Sequence, residues 1–310
     1  MTVSDIVRHK LSHFESATPG EKTNLARIMM HGRLAGTGKM VILPVDQGFE
    51  HGPIRSFGQN SAGYDPDYHF RLAIDAGVSA FAAPLGLLEA RADYYAGQVP
   101  LILKMNSANS LIRSRGSKAP DQAITSSVKD AVRLGCVGVG LTTYPGSDKT
   151  LEIYEEVREI VREAKAHGLA VILWSYVRGG DISKKGETAI DTISYGAHMA
   201  CLMGAHIVKC KIPSDVIEQD KNKAVIKEEG IATATKADRV AHVVKSCFDG
   251  RRMVIFSGGA AKDKESVLDD ARAIVEGGGN GSIIGRNAFQ RPKAEGIDLL
   301  QSMMDVYAGE

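Results

Sequence analysis

Residues 205–213, Ala205-His206-Ile207-Val208-Lys209-Cys210-Lys211-Ile212-Pro213, read as a buried β-strand that nevertheless carries two lysines. Ile, Val and Cys dominate the run, a glycine precedes it and a proline closes it, which is the profile of a short strand. Side chains alternate across a strand, so Ile207, Lys209 and Lys211 share one face while His206, Val208 and Cys210 share the other. Two ammonium groups about 6 to 7 Å apart on one face repel by roughly 2 to 3 kcal/mol at an effective dielectric of about 20. Repulsion and partial burial both favour the neutral amine, the form that attacks carbonyls and makes Schiff bases. The segment alone fits equally a strand end from which both lysines reach water.

Outward from this strand, short β-rich runs alternate with longer amphipathic segments, the signature of βα units on a parallel sheet. Strands are predicted at 40–45, 78–83, 100–104, 136–141, 170–175, 206–211, 253–257 and 281–285. Helical patterns fall at 66–76, 119–134, 148–166, 190–203, 236–247 and 262–276, the first with Asp65 as cap and Pro66 at its opening position. Eight strands with crossover helices predict a single (β/α)8 TIM barrel over residues 1–310, and a doubly wound sheet is the alternative should two of the strands not form. Residues 1–39 read as a peripheral helical extension anchored by Ile6, Leu11, Phe14, Leu25, Ile28 and Met29. Residues 213–236 break the rhythm as a long polar loop, either a lid over a site or a solvated insertion.

The composition is ordinary for a globular protein with a sizeable core, 44% apolar and 24% charged over 310 residues. Its 38 basic and 37 acidic side chains give a net charge of +1, so neither nucleic acid nor a membrane surface is expected as a partner. Cys136, Cys201, Cys210 and Cys247 form no C-x-x-C pair and fit small buried side chains in a reducing cytoplasm. Residues 1–16 are polar and no apolar run approaches the ~18 residues of a membrane span, so a soluble cytoplasmic protein is expected.

Barrel chemistry sits where strands end and βα loops begin. The first strand runs into Asp46-Gln47-Gly48-Phe49-Glu50-His51-Gly52-Pro53, where Asp46 is either a turn former or a functional acid. The third places Ile102, Lys104 and Asn106 on one face, adding a cation. The fifth orients Trp174, Tyr176 and Arg178 alike; Trp174 reads as an aromatic plug, and Tyr176 as a candidate acid or base. The seventh leads into Ser257-Gly258-Gly259 and the eighth into Gly285-Arg286. Glycine-rich turns bring N–H groups close to an anion, phosphate sites in barrels recur after strands 7 and 8, and arginine grips phosphate in a bidentate way. Phosphate binding is therefore the preferred reading. A zinc site would need about three converging ligands, yet of the nine histidines only His51 lies in a strand-end loop. An amine-based mechanism fits better than a metal-based one.

Assembled, these motifs resemble the archaeal-type class I fructose-bisphosphate aldolases, relatives of deoxyribose-phosphate aldolase. The matching pieces are Asp46-Gln47-Gly48 with Glu50-His51-Gly52-Pro53, Trp174-Ser175-Tyr176 with Arg178-Gly179, Ile207-Val208-Lys209 with Lys211, Ser257-Gly258-Gly259, and Gly285-Arg286. They span nearly the whole chain in order. The resemblance implies a Schiff-base lyase of glycolysis and gluconeogenesis that cleaves fructose 1,6-bisphosphate reversibly to dihydroxyacetone phosphate and glyceraldehyde 3-phosphate. It implies Lys209 as the Schiff-base lysine, Tyr176 as proton donor and acceptor, Asp46 as the carboxylate handling substrate hydroxyls, and Trp174 as a residue shaping the pocket. Ser257, Gly258, Gly259, Gly285 and Arg286 would hold one phosphate, Arg178 would contact the other, and Lys211 would keep Lys209 deprotonated. No metal or other cofactor is implied; the partner is a small sugar phosphate and the assembly a homo-oligomer. Three departures, Gln47 in place of a usual histidine, Val177 in place of proline, and the long loop after Lys211, bear on substrate more than on fold. Other lysine-dependent sugar-phosphate aldolases, transaldolase-like or thiolase-like enzymes, and an idle phosphosugar-binding barrel are the alternatives.

Overall fold

The computed structural model describes residues 2–112, 118–259 and 261–310. Eight parallel strands close into a barrel, each paired with its sequence neighbours and the first with the last. They are β1 (Met40–Pro44), β2 (Ala80–Pro84), β3 (Leu101–Lys104), β4 (Gly138–Thr143), β5 (Ala170–Ser175), β6 (Ile207–Lys211), β7 (Met253–Ser257) and β8 (Gly281–Ile283). Every strand lies within two residues of its predicted span, and closure of the sheet rules out the doubly wound alternative. Alternation sorts the side chains as period two requires. Ile42, Ala82, Ile102, Ile172, Ile207 and Ile255 pack inside the barrel, while Val41, Leu43, Val208, Cys210 and Val254 join the layer under the helices.

Trp174 on β5 fills much of the barrel interior, and the sheet is built around it. Gly140 on β4 leaves it room: a Cβ at that position would stand 2.0 Å from the indole ring. The surrounding helices include Pro66–Ala76, opened by the Asp65 side chain accepting from the Asp67 N–H, and Thr150–Ala166, Ile190–Leu202, Lys236–Ser246 and Lys264–Glu276. The segment 119–134 is helical only at Val128–Arg133, where Ser127 and Asp130 form a capping box. Ahead of that box, Pro120 and the β-branched pair Ile124-Thr125 disfavour helix, and Ala123–Ile124 instead pairs antiparallel with Asn106–Ser107. A C-terminal helix, Lys293–Ala308, lies outside the alternation read from the sequence and buries Leu299, Leu300, Met303 and Met304.

The amino-terminal extension is not peripheral. Helix α1 (Asp5–Ser12) and helix α2 (Pro19–Met29) seal one end of the barrel, and Val7, Phe14, Leu25, Ile28 and Met29 join the same apolar cluster as the barrel's inward residues. Ile6 is 54% exposed and its neighbour Val7 is the true anchor, because helical rotation, not hydrophobicity alone, decides which residue faces the barrel. In α2, the Glu21 carboxylate accepts from the Thr18 N–H (2.7 Å) and meets His206 Nε2 at 3.0 Å. His206 Nδ1 accepts from the Val171 N–H, so its proton sits on Nε2 and faces Glu21.

Residues 213–236 are likewise more ordered than a polar loop, because they contain the helix Asp220–Glu228. Asp191 accepts from the N–H groups of Glu218 and Gln219, both at 2.9 Å. Glu218 accepts from the Ser183 N–H and hydroxyl. Arg239 donates to the carbonyls of Pro213, Thr233 and Ala234, fastening both ends of the insertion. Replacing Gly140 by Ala should force Trp174 out of position and destabilise the protein by about 1 to 3 kcal/mol. Denaturant melts followed by the emission of this sole tryptophan read both effects, and an unchanged midpoint with an unchanged spectrum would count against the packing described here.

Candidate active site

β6 aims Lys209 into the barrel, where it is 3% exposed and in register with Trp174. Its Nζ stands 4.9 Å from the indole centre and 5.3 Å from that of the Tyr176 ring. Burial pulls the Lys209 pKa down to about 8; Asp46 and Glu50 oppose the fall and Arg286 adds to it. Lys104, at the end of β3, is a second buried amine 5.8 Å from the same indole centre. Burial likewise takes it to about 8, with Asp46 opposing and Lys209 assisting. Its ammonium donates to the Asn106 backbone carbonyl and, at 2.8 Å, to Asn106 Oδ1. Asn106 is itself clamped to the backbone of Thr142 in both directions.

Lys211 does not play the part the strand pattern gives it. At the end of β6 it turns to Glu187 in the loop after β5, with Nζ 3.3 Å from Oε2, so its charge is met by a carboxylate. The cation that depresses Lys209 is Arg286, and the amine that Lys209 in turn depresses is Lys104.

Tyr176 follows β5; burial and the nearby Asp46 and Glu50 charges push its phenol far above the ordinary value, against a smaller opposing pull from the Ser257 side chain, so it stays protonated. The Arg178 guanidinium lies 5.1 Å from the Tyr144 ring centre and 5.6 Å from that of Tyr176. Its NH1 stands 3.9 Å from Glu50, and its buried Nε has no hydrogen-bond partner among the described residues. That free donor suits an incoming anion.

The loops after β7 and β8 are locked together. Arg286 donates to the Gly259 carbonyl at 3.0 Å and Asn287 to the Gly258 carbonyl at 3.3 Å. Gly259 holds φ +69°, a backbone that favours glycine.

One cavity of about 340 Å³ brings these groups together. Asp46, Tyr176, Arg178, Lys209, Lys211, Ser257, Gly258, Gly259, Gly285 and Arg286 all line it, while Trp174 lies buried beside its floor. Residues 213–236, the insertion read as a possible lid, contribute nothing to the lining. Sequence reading passed over Thr142, Tyr144, Lys184 and Glu187, which also line it. Thr142 and Tyr144 were accessible to the strand-end rule applied to β4; Lys184 and Glu187 lie deep in a loop where no periodicity marks them. Among the described residues no three His, Cys, Asp or Glu side chains gather where they could hold a metal ion, and no helix is long and apolar enough to cross a membrane.

A parallel eight-stranded barrel with a buried lysine of lowered proton affinity at the carboxyl end of β6 defines the class of lysine-bearing barrel aldolases. The chain belongs to the DeoC/LacD family of aldolases, whose model matches residues 40–291. It is 35% identical over 295 residues to a probable fructose-bisphosphate aldolase class 1 of Chlamydia muridarum, covering 92% of this chain and 83% of that protein. It is 36% identical over 261 residues to the fructose-bisphosphate aldolase class 1 of Thermoproteus tenax, covering 84% and 87%. Among solved structures, an archaeal fructose-1,6-bisphosphate aldolase with its catalytic lysine covalently bound to the carbinolamine intermediate superposes with a TM-score of 0.74 at 31% identity, covering 91% of this chain and 98% of that one.

If burial sets the proton affinity of Lys209, its reductive methylation by formaldehyde and cyanoborohydride should rise with pH around a midpoint near 8. Peptide mass spectrometry across a pH series reads this, and a midpoint near 10.5, the ordinary lysine value, would mean that the amine is solvated.

Proposed function

We propose that this protein is a class I aldolase that cleaves fructose 1,6-bisphosphate reversibly to dihydroxyacetone phosphate and glyceraldehyde 3-phosphate, with Lys209 as the Schiff-base residue. The observation that carries the reading is a buried lysine amine, its proton affinity lowered by burial, lining a cavity with cationic groups at two places. Arg286 with Ser257, Gly258, Gly259 and Gly285 suits one phosphate; Arg178 and Lys211, with Lys184 nearby, suit the other. A bisphosphorylated ketose satisfies both.

Neutral Lys209 adds to the ketose C2 carbonyl, and loss of water leaves an iminium that draws electrons from the C3–C4 bond. Asp46 takes the proton of the C4 hydroxyl as that bond breaks, its electron pair flows into the iminium to give an enamine, and glyceraldehyde 3-phosphate departs. Tyr176, kept protonated by its burial, delivers a proton to C3. Water then hydrolyses the imine, releasing dihydroxyacetone phosphate and restoring the amine. Trp174 flanks the Lys209 amine, and burial with Arg286 lowers its proton affinity between turnovers. The sequence of bond changes needs no metal, and the four unpaired, buried cysteines suit a reducing cytoplasm.

A coupled cleavage assay with fructose 1,6-bisphosphate in excess EDTA should show full activity, and abolition by EDTA would overturn the metal-free reading. Borohydride added with dihydroxyacetone phosphate should mark Lys209 in a peptide map; a mark on Lys211 or Lys104 instead would reassign the nucleophile. Tyr176→Phe should lower turnover by about 10²-fold or more while leaving borohydride trapping nearly intact, whereas equal loss of both would reduce Tyr176 to a binding role.

A further inference from the structure

The barrel has a second polar cavity at its opposite end. It encloses about 250 Å³ beneath the amino-terminal plug and is lined by Phe14, Thr18, Glu21, Lys165, His206 and Arg252, among others. Its acid and its base are already spoken for. Glu21 places one oxygen against His206 Nε2 and the other on the Thr18 N–H, which holds its carboxyl down at about 2 although burial alone would raise it. His206 is held neutral by burial, against the opposing pull of Glu21.

The two remaining charges are cations. The ammonium of Lys165, at the end of the helix Thr150–Ala166, is half-buried and has no hydrogen-bond or ion-pair partner among the described residues. Burial lowers its proton affinity, the Glu21 carboxylate across the cavity opposes the fall, and Arg252 adds to it. The Arg252 guanidinium lies 5.0 Å from the Phe14 ring centre and 5.2 Å from that of Phe248. It donates to the backbone carbonyls of His13 and Arg251, and no carboxylate among the described residues pairs with it. In a chain whose net charge is only +1, two cations against one carboxylate on the wall of this cavity leave a local excess of positive charge.

We propose that this cavity binds a phosphate group, with Lys165 and Arg252 as its ligands. With Glu21 ionised and His206 neutral the wall carries a net charge of +1, which a phosphate monoanion matches, and the anion's oxygens accept from both a point-charge ammonium and a planar guanidinium. The volume lies below the range of pockets that take drug-sized ligands, which restricts the occupant to orthophosphate or the ester of a compound of a few carbons. β6 runs from this cavity to the barrel mouth, with His206 just before its start and Lys209 near its end.

Isothermal titration of the full chain with inorganic phosphate tests this. Wild type should bind phosphate in at least two classes of site. Arg286→Gln should remove a class at the barrel mouth and leave another intact. Lys165→Gln should weaken that second class about tenfold or more, the effect of losing one charge-assisted hydrogen bond. Lys165→Arg should restore it, and borohydride trapping at Lys209 should be unchanged in both Lys165 variants. Glycerol 1-phosphate titrated in parallel separates the sources: tighter binding than orthophosphate at the Lys165-dependent class supports an ester as occupant, and the reverse order supports the free anion. A Lys165→Gln isotherm that superimposes on wild type, or loss of all phosphate binding on Arg286→Gln alone, would overturn the proposal.

Discussion

Withdrawal of a single amine from water is the constraint on which this structure turns. Moving the Lys209 pKa from 10.5 to about 8 corresponds to roughly 3 kcal/mol of preference for the neutral form. Strand alternation points the side chain inward, Ile207 beneath it is fully buried, and Trp174 flanks its Nζ. Trp174 in turn fits only because Gly140 on β4 lacks a side chain. The reactive nitrogen, the aromatic wall and the missing Cβ are thus one packing arrangement, and a change in any of them is felt by the other two.

Charge placement adds a second level of control. Asp46 and Glu50 favour the protonated amine while Arg286 disfavours it. An anion that pairs with Arg286 cancels the disfavouring charge, so occupation of the β7–β8 loops draws the Lys209 proton affinity upward. Pairing of Lys211 with Glu187 keeps a third cation out of this balance.

Much of the barrel was legible because parallel strands buried on both faces leave near-continuous apolar runs, and all eight announced themselves in that way. The strand-end rule found Asp46, Tyr176, Arg178 and Arg286 for the same reason: a polar residue directly after such a run has few places to go except the cavity. It failed for Lys184 and Glu187, which reach the site through a loop whose course depends on Glu218 holding Ser183, a contact between residues with no sequence pattern in common. Lys211 was misjudged because alternation gives the face of a side chain but not the partner that diverts its tip. The extension was misjudged because its amphipathic helices look the same whether they cap a barrel or lie on its surface. Across residues 119–134 helix periodicity competes with Pro120 and the start signal at Ser127, and the latter two decide the structure.

The contact between Glu21 and His206 joins residues 185 positions apart. During synthesis at about 5 to 20 residues per second, the first two helices leave the ribosome roughly 10 to 40 seconds before the partner that anchors them. For that interval Val7, Leu25, Ile28 and Met29 have no finished barrel to enter, although they become fully buried in the end. The segment made first is thus among the last to dock, and the nascent chain must carry an uncovered apolar surface through most of its translation.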